Sequence, residues 1–402
     1  VHVTRAHGGL KPALRGDGVA FLFPAPRPLA AARGAALRAR GAAGRVAAVA
    51  AGPEPRMTEP PPPPAARALR LAWKRARLLG RARWKGRELR RLAGPGAAVA
   101  RGALLCVAVM RDEAARLPHW LAHHRGLGVD RFLVVDNGSS DGTREALEAE
   151  PDVALWGTGA SYRASRFGMD WANRLLGRYG PGRWCLTLDA DELLVFPHWE
   201  ERGLRALCAR LDATGQEALP CLMVEPYPDA PLRAGPMPAG DPLAALPLFD
   251  PEGYRAARQR AHGCVILRGG PRARVLMAQD PARAPVMSKT PLVRWRRGTA
   301  YVNSTHFLLP PRLNAPWEAW RDGRWGEGVL AGALLHTKLL PDLVPRSAAE
   351  RVRGEHFTDR AAHGPYYDAI AAGPDFRHAG SAPLGDWRAL EARGLVARGG
   401  WA

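Results

Sequence analysis

The sequence predicts an α/β protein in which a mostly parallel sheet is flanked by helices and preceded by a disordered basic tail. Three observations carry that prediction. From Leu104 onward, short apolar runs rich in β-formers alternate with helix-length segments, the pattern of a doubly wound parallel sheet. Polar residues gather just after three of those runs, at Arg111-Asp112-Glu113, at Asp136 to Thr143 and at Asp189 to Glu192. The positive charge is concentrated at the start: residues 1–100 hold 20 Lys and Arg against 4 Asp and Glu, a balance of +16 out of +20 for all 402 residues.

Residues 1–66 are Ala, Arg, Gly and Pro with little periodicity, and Pro60 to Pro64 are five prolines in a row. Such a stretch buries too little apolar surface to offset its ordering entropy and is expected to be disordered. The chain opens on Val1 and its first methionine is Met57, so one expectation is a translation start at Met57. Residues 67–92 read as a basic helix carrying Leu69, Leu71, Trp73, Leu78, Leu79, Trp84, Leu89 and Leu92, and Gly94-Pro95-Gly96 closes a 67–95 helix-and-linker unit. Basic residues interleaved with Trp and Leu suit an anionic membrane surface or an acidic partner; a solvated helix is the alternative. Because residues 101–402 carry only +4, a specific nucleic-acid partner is not expected.

The folded part opens on a strand, Leu104 to Met110, followed by a helix from Ala114 to Arg125 with Leu117, Trp120, Leu121 and His124 on one face. Arg131 to Val135 is the second strand, Arg144 to Glu150 a helix, Val153 to Trp156 the third strand and Ser165 to Tyr179 another helix. Trp184 to Leu188 is the fourth strand, and it ends abruptly in Asp189, Asp191 and Glu192. Unpaired carboxylates are too costly to bury, so three acids at a strand end belong to a rim. In open α/β sheets ligands bind beyond the carboxyl ends of the strands. An Asp-x-Asp there suits a hard divalent cation, Mg²⁺ or Mn²⁺, which takes carboxylate and phosphate oxygens.

No run of 18 apolar residues exists, so no transmembrane span is expected. Cys106, Cys185, Cys208, Cys221 and Cys264 lack metal-ligand spacing and fit a reducing cytosol, with the protein cytoplasmic or peripheral on the inner face of the membrane.

Val107 to Glu113, Leu117-Pro118-His119-Trp120-Leu121-Ala122-His123-His124, Leu127-Gly128-Val129-Asp130, Val135 to Thr143 and Asp189-Ala190-Asp191-Glu192 together resemble the opening of bacterial family 2 type glycosyltransferases, in the subgroup that carries an Asp-Ala-Asp-Glu motif. The likeness covers about residues 104–196 and continues at Gly269 to Val275, Ser288 to Val293, Ser304-Thr305-His306 and Leu334 to Lys338. It implies a GT-A (Rossmann-like) fold, a nucleotide-sugar donor and a metal held by the Asp-x-Asp. The usual Asn of the first motif is Asp112 here, and the Glu-Asp base motif of better-known members is not apparent. The domain reading that follows is a glycosyltransferase domain at 101–345, divided into a nucleotide-sugar half (101–198) and an acceptor half (199–345), with a helical extension at 346–402.

The expected function is metal-dependent, inverting sugar transfer from a nucleotide-diphosphate sugar to a glycan or lipid-linked hydroxyl acceptor. Asp191 is the expected direct metal ligand, with Asp189 on the ribose or bound through water. Resemblance implies His336 as a further ligand; a place in the core or behind the ligands is the alternative. Asp136 and Glu113 are placed near the nucleotide, while Arg272, Lys289 and Lys338 have the charge to hold diphosphate oxygens. Asp141 and Thr143 read as helix capping. His306, from the acceptor half, is the candidate base or acceptor-positioning group, because an imidazole near its ordinary pKa accepts a proton at working pH. Two other classes stay open: a nucleotidyltransferase or other nucleotide-sugar-binding enzyme, which would be expected to show a Gly-rich loop after the first strand, and a non-catalytic membrane or nucleic-acid binder driven by the tail.

Overall fold

The computed structural model describes residues 64–96, 99–260, 262–355 and 364–402. Residues 1–63, with the expected disorder and the Met57 start, lie outside them. The description begins with helix α1 (Pro64–Lys85), which takes in the last residues assigned to the tail. The expected helix to Leu92 is shorter than predicted. Gly86 breaks it, a 3₁₀ turn spans Gly86–Glu88, and Arg90–Ala93 becomes strand β1.

The strands of the main sheet continue as β2 (Leu105–Met110), β3 (Arg131–Asp136), β4 (Val153–Gly157), β5 (Arg183–Thr187), β6 (Glu192–Val195), β7 (Ala218–Val224), β8 (Ser288–Trp295), β9 (Leu330–His336) and β10 (Ala397–Arg398). The spatial order is β1-β4-β3-β2-β5-β8-β7-β9-β10, with β6 also on β9. β4, β3, β2 and β5 are mutually parallel, as the alternation with helices predicts. The sheet as a whole is mixed rather than mostly parallel: β1, β6, β8 and β10 are antiparallel to their neighbours. The reason lies in the connections. Parallel pairing needs a long crossover, usually helical, and among the described residues no α-helix lies between β7 and β8. That stretch is irregular chain plus a hairpin of Arg255–Gln259 and Cys264–Arg268, so β8 enters from the opposite end.

Helices cover both faces. On one side lie α2 (Leu117–Gly126), α3 (Thr143–Glu148) and α5 (Trp199–Thr214); on the other lies α4 (Met169–Tyr179). Strand periodicity feeds both layers. Cys106, Ala108 and Met110 of β2 pack with α2 and α5, while Leu105 and Val107 pack with Trp171, Leu175 and Leu176 of α4. Leu117, Trp120, Leu121 and His124 are the buried stripe of α2, as their spacing predicts. α4 starts later than expected because Arg166 (φ 56°) and Phe167 (φ 54°) precede Gly168 in left-handed conformations. The five cysteines are buried and unpaired.

α6 (Leu343–Arg353) and α7 (Gly364–Ala371) pack on Tyr227, Leu232 and Phe376 as a smaller cluster, and α8 (Trp387–Ala392) precedes β10. Thus residues 346–402, read as a helical extension, return a strand to the main sheet.

Candidate active site

The order of strands decides where a site forms. Chain order reverses between β2 and β5, and at such a switch point the connections diverge and leave a crevice beyond the strand ends. β7 and β9 run in the same direction as β5, so Glu225 and His336 arrive at the same rim as Asp112, Glu113 and Asp189. β8 runs the other way and brings its beginning there, which delivers Lys289. A cavity of about 780 Å³ opens over this rim, lined among others by Arg111, Glu113, Asp189, Asp191, Glu192, Lys289, His306, His336, Lys338 and Arg346. A second cavity, about 510 Å³, lies by Gln216 and Val329; of its charged groups Glu217, Arg312 and Glu327, the first two are paired with each other.

The acids of the rim are individually countered. Lys289 Nζ lies 2.6 Å from Glu192 Oε1 and 3.1 Å from Asp189 Oδ2, and Glu192 also accepts the Asp189 backbone N–H at 3.1 Å. Glu192 is fully buried, and burial raises its pKa against the pull of Lys289; the Asp189 side chain is 46% exposed and opens into the cavity. Asp191 Oδ2 stands 3.2 Å from His336 Nε2 and 3.3 Å from Lys338 Nζ. Burial pushes the Asp191 pKa up, yet His336 and Lys338 outweigh it and hold the carboxyl well below its usual range. His336 Nδ1 is 3.0 Å from Glu225 Oε1, and Glu225 is ion-paired with buried Arg272. Against burial, Arg272 and His336 bring Glu225 down to about 2; burial also lowers His336, but Asp191 and Glu225 raise it.

The rim can be matched against the needs of a divalent cation. Among the described residues no group of three or more His, Cys, Asp or Glu side chains forms a ready-made cage. Two donors do converge. On an octahedral ion with bonds of about 2.1 Å, neighbouring donor atoms are about 3 Å apart, close to the 3.2 Å between Asp191 Oδ2 and His336 Nε2. His336 Nε2 meets the Asp191 carboxylate; were a cation to displace the proton between them, the imidazole, with Nδ1–H donated to Glu225, would present its Nε2 lone pair, backed by a carboxylate as metal-bound histidines are. Mg²⁺ and Mn²⁺ tolerate few protein ligands and complete their shell with phosphate oxygens and water, so Asp191 and His336 fit such an ion. Asp189, engaged by Lys289, is not part of that pair.

The other expected residues fall in different places. Glu113 lies on the cavity, held by Arg116 Nη1 at 3.3 Å and by Arg346 of α6. Asp136 is buried and absent from the cavity lining; its Oδ1 accepts the Ser139 N–H at 3.1 Å within its own loop. Asp141 accepts from the Thr143 N–H and the Ala114 N–H, both at 3.0 Å, tying the α3 start to the loop after β2. Of the three expected diphosphate cations, Lys338 sits beside Asp191 at the cavity, while Lys289 and Arg272 are engaged by carboxylates. His306 donates its Nδ1–H to the Ser288 carbonyl, 2.8 Å away, and burial together with Lys289 lowers its pKa to about 3. An imidazole held that low is a weak base.

Two residues at the rim are not among those that the sequence analysis singles out: Glu225 and, on α6, Arg346. α6 brings Arg346 onto Glu113, and Arg116 bridges Glu113 to Asp342 at 2.7 Å. Glu225 carries a readable signal, since it ends the apolar run Cys221 to Val224 as Asp189 ends its own run. Arg346 carries none, because nothing local marks an arginine in a polar helix.

No protein-family model matches the chain. Curated relatives match over short stretches. A glycosyltransferase family 92 protein of Arabidopsis thaliana is 28% identical over 109 residues, 25% of this chain and 18% of that protein. One from Oryza sativa is 29% identical over 102 residues, 23% of this chain and 16% of that protein. A TPR repeat-containing protein of Synechococcus elongatus is 36% identical over 112 residues, 26% of this chain and 24% of that protein. The chain thus spans less than a quarter of the length of each. Among solved structures, a mannosyltransferase from Pyrobaculum calidifontis in complex with GDP-Man and Mn²⁺ is 19% identical, with a TM-score of 0.23, covering 40% of this chain and 46% of that one. The curated proteins that this chain matches over short stretches therefore include glycosyltransferases.

Proposed function

We propose that the protein is a metal-dependent glycosyltransferase of the family 2, GT-A kind, which moves a sugar with inversion from a nucleoside diphosphate sugar to a hydroxyl of a glycan or lipid-linked acceptor. The observation that carries this reading is the Asp191–His336–Glu225 chain, in which two donor atoms 3.2 Å apart face a cavity and the imidazole is oriented by a buried carboxylate. The strand order supports the GT-A part, since the cavity sits at the switch point where a nucleotide is held in open α/β sheets. The glycosyltransferase relatives support the reaction class.

Asp191 and His336 would hold the cation, which acts as a Lewis acid on the leaving diphosphate. The protein's own groups do the rest. Lys338 lies beside Asp191 and supplies a second positive charge where a diphosphate would build negative charge. Lys289 cancels the charges of Asp189 and Glu192, so an anionic donor is not repelled by the remaining acids of the rim. Arg346 and Arg116 fix Glu113 and tie the loop after β2 to α6, which shapes the cavity wall. Asp189, half open to the cavity, is placed to accept from sugar or ribose hydroxyls.

A panel of nucleotide sugars tested for binding and slow hydrolysis, with and without Mn²⁺ or Mg²⁺, checks the reading. At least one donor is expected to bind and turn over only with the ion. Metal-independent binding of every donor in the panel would sink it.

A further inference from the structure

We propose that the outward face of α1 is a docking surface for an anionic lipid bilayer. This inference does not depend on the catalytic reading. α1 holds eight Lys and Arg residues and no acid. Its inner face is well anchored: Leu71, Leu78 and Ala82 are buried, the two leucines against Ile266, Val302 and Phe307, and Arg81 pairs with buried Asp170 at 2.8 Å.

The outer face is built differently. Leu69, Trp73 and Trp84 are 73%, 66% and 58% exposed, and they are three of the four exposed large hydrophobic residues among those described. At about 100° per residue, Leu69, Trp73, Gly80 and Trp84 fall within a stripe about 60° wide and about 22 Å long. Arg70 and Arg77 flank it on one side and Arg83 on the other; all three are exposed, with no acidic partner among the described residues. Exposed tryptophans gathered on one line, edged by arginines, match the boundary of a bilayer, where an indole sits at headgroup level and guanidinium groups meet lipid phosphates. No helix among the described residues is long and apolar enough to cross a membrane, so α1 would lie in the plane of the surface. Its inner face rests on the hairpin Ala300–Asn303 and Phe307–Leu309, whose turn lines the cavity with Ser304 and His306. Docking by α1 therefore sets the Ser304 and His306 side of the cavity toward the lipid surface.

Flotation of the full chain with vesicles tests this, comparing pure phosphatidylcholine with phosphatidylcholine containing about 30% phosphatidylglycerol. The chain is expected to float with the anionic vesicles and at least about tenfold less with neutral ones, since each basic side chain near such a surface contributes about fivefold. Trp73→Ala/Trp84→Ala should cut anionic binding at least about tenfold with an unchanged melting temperature, because both rings are outside the core. Arg70→Gln/Arg77→Gln/Arg83→Gln should do the same and remove most of the salt sensitivity. Wild-type flotation of the tryptophan variant would overturn the proposal and assign lipid binding to another segment. Equal binding to neutral vesicles would overturn it too, as would a single-stranded oligonucleotide that binds through Trp73 and Trp84 while vesicles are ignored.

Discussion

Asp191→Asn removes the carboxylate that pairs with both His336 and Lys338, and it should abolish metal-dependent nucleotide-sugar binding while the circular dichroism spectrum is unchanged. Wild-type affinity in that variant, read by calorimetry with Mn²⁺, would remove Asp191 from the metal. Glu225 acts one step back. Glu225→Gln keeps an oxygen that accepts from His336 but removes the charge behind the imidazole and beside Arg272, and it should weaken Mn²⁺ binding about 10- to 100-fold while costing less stability than a change that removes the oxygens as well. Glu225→Leu is harsher. It strands the buried Arg272 charge and should cost about 3–5 kcal/mol in urea unfolding. His306→Ala should lower turnover less than about tenfold, since general base catalysis is usually worth 10²–10⁴-fold and this imidazole is held near 3. Acids at strand ends are legible from sequence because a carboxylate that closes an apolar run is too costly to bury unpaired and must face a rim or a counter-charge. Asp189, Asp191 and Glu113 obey that rule and line the cavity, whereas Asp136, at an equivalent position, turns its carboxylate into its own loop. Which side of a strand end faces the crevice depends on loop geometry that a sequence does not print. Arg346 is invisible for a related reason: its partner Glu113 is 233 residues away.

At the scale of elements, α1 and β1 belong to the fold. Trp171 of α4 donates its indole N–H to Glu88 at 2.9 Å, Arg81 holds Asp170, and β1 extends the sheet edge beside β4. Deleting residues 1–56 touches none of these contacts and should leave the melting temperature unchanged. Deleting residues 1–96 breaks all of them and should lower it by about 10 °C or more in a thermal scan. Gly94 is a sharper probe of the same edge. Its φ is +92°, and a Cβ there would stand 1.9 Å from the Val153 carbonyl oxygen. Gly94→Ala should cost at least about 2 kcal/mol, measured in urea. The helix and strand periodicities from Leu104 to Thr187 are readable because local pattern and tertiary burial agree there. β1 is not, since a run such as Arg90-Arg91-Leu92-Ala93 has no strand signal and pairs only because the turn after α1 delivers it to an open edge. β8 is hidden in a different way: its residues read as strand, but its direction is set by the long irregular connection before it.

For the molecule as a whole, the pH dependence of stability has a definite sign. Burial lowers the pKa of His123, His124, His262 and His306, the third to about 4 and the last to about 3, whereas the unfolded chain takes up these protons near pH 6.5. Below pH 6.5 the unfolded state binds more protons, so stability present above that pH is lost as pH falls toward the folded values. His336, raised by its carboxylates, opposes this, with stabilisation complete below pH 6.5 and lost as pH rises through its folded pKa. Glu192, raised by burial, also adds stability as pH falls; four groups outweigh these two, and unfolding monitored from pH 7 to pH 4.5 should show a steady loss. His124→Gln should flatten that slope by up to about 1.4 kcal/mol per pH unit, whatever it does to stability at pH 7. Below about pH 4.5 the low carboxyl of Glu225 extends the decline. One further consequence lies in the backward run of β8. Asp189 and Glu192 leave β5 within a few residues, but their counter-charge, Lys289, comes a hundred positions later on a strand that must thread between β5 and β7. A refolding chain that has paired only β2 to β5 carries an uncompensated knot of negative charge at its centre. The middle of the sheet and the charge balance of the crevice are therefore completed in one late, high-contact-order event, and competence to hold an anionic ligand appears with the last step of folding rather than with the first strands to form.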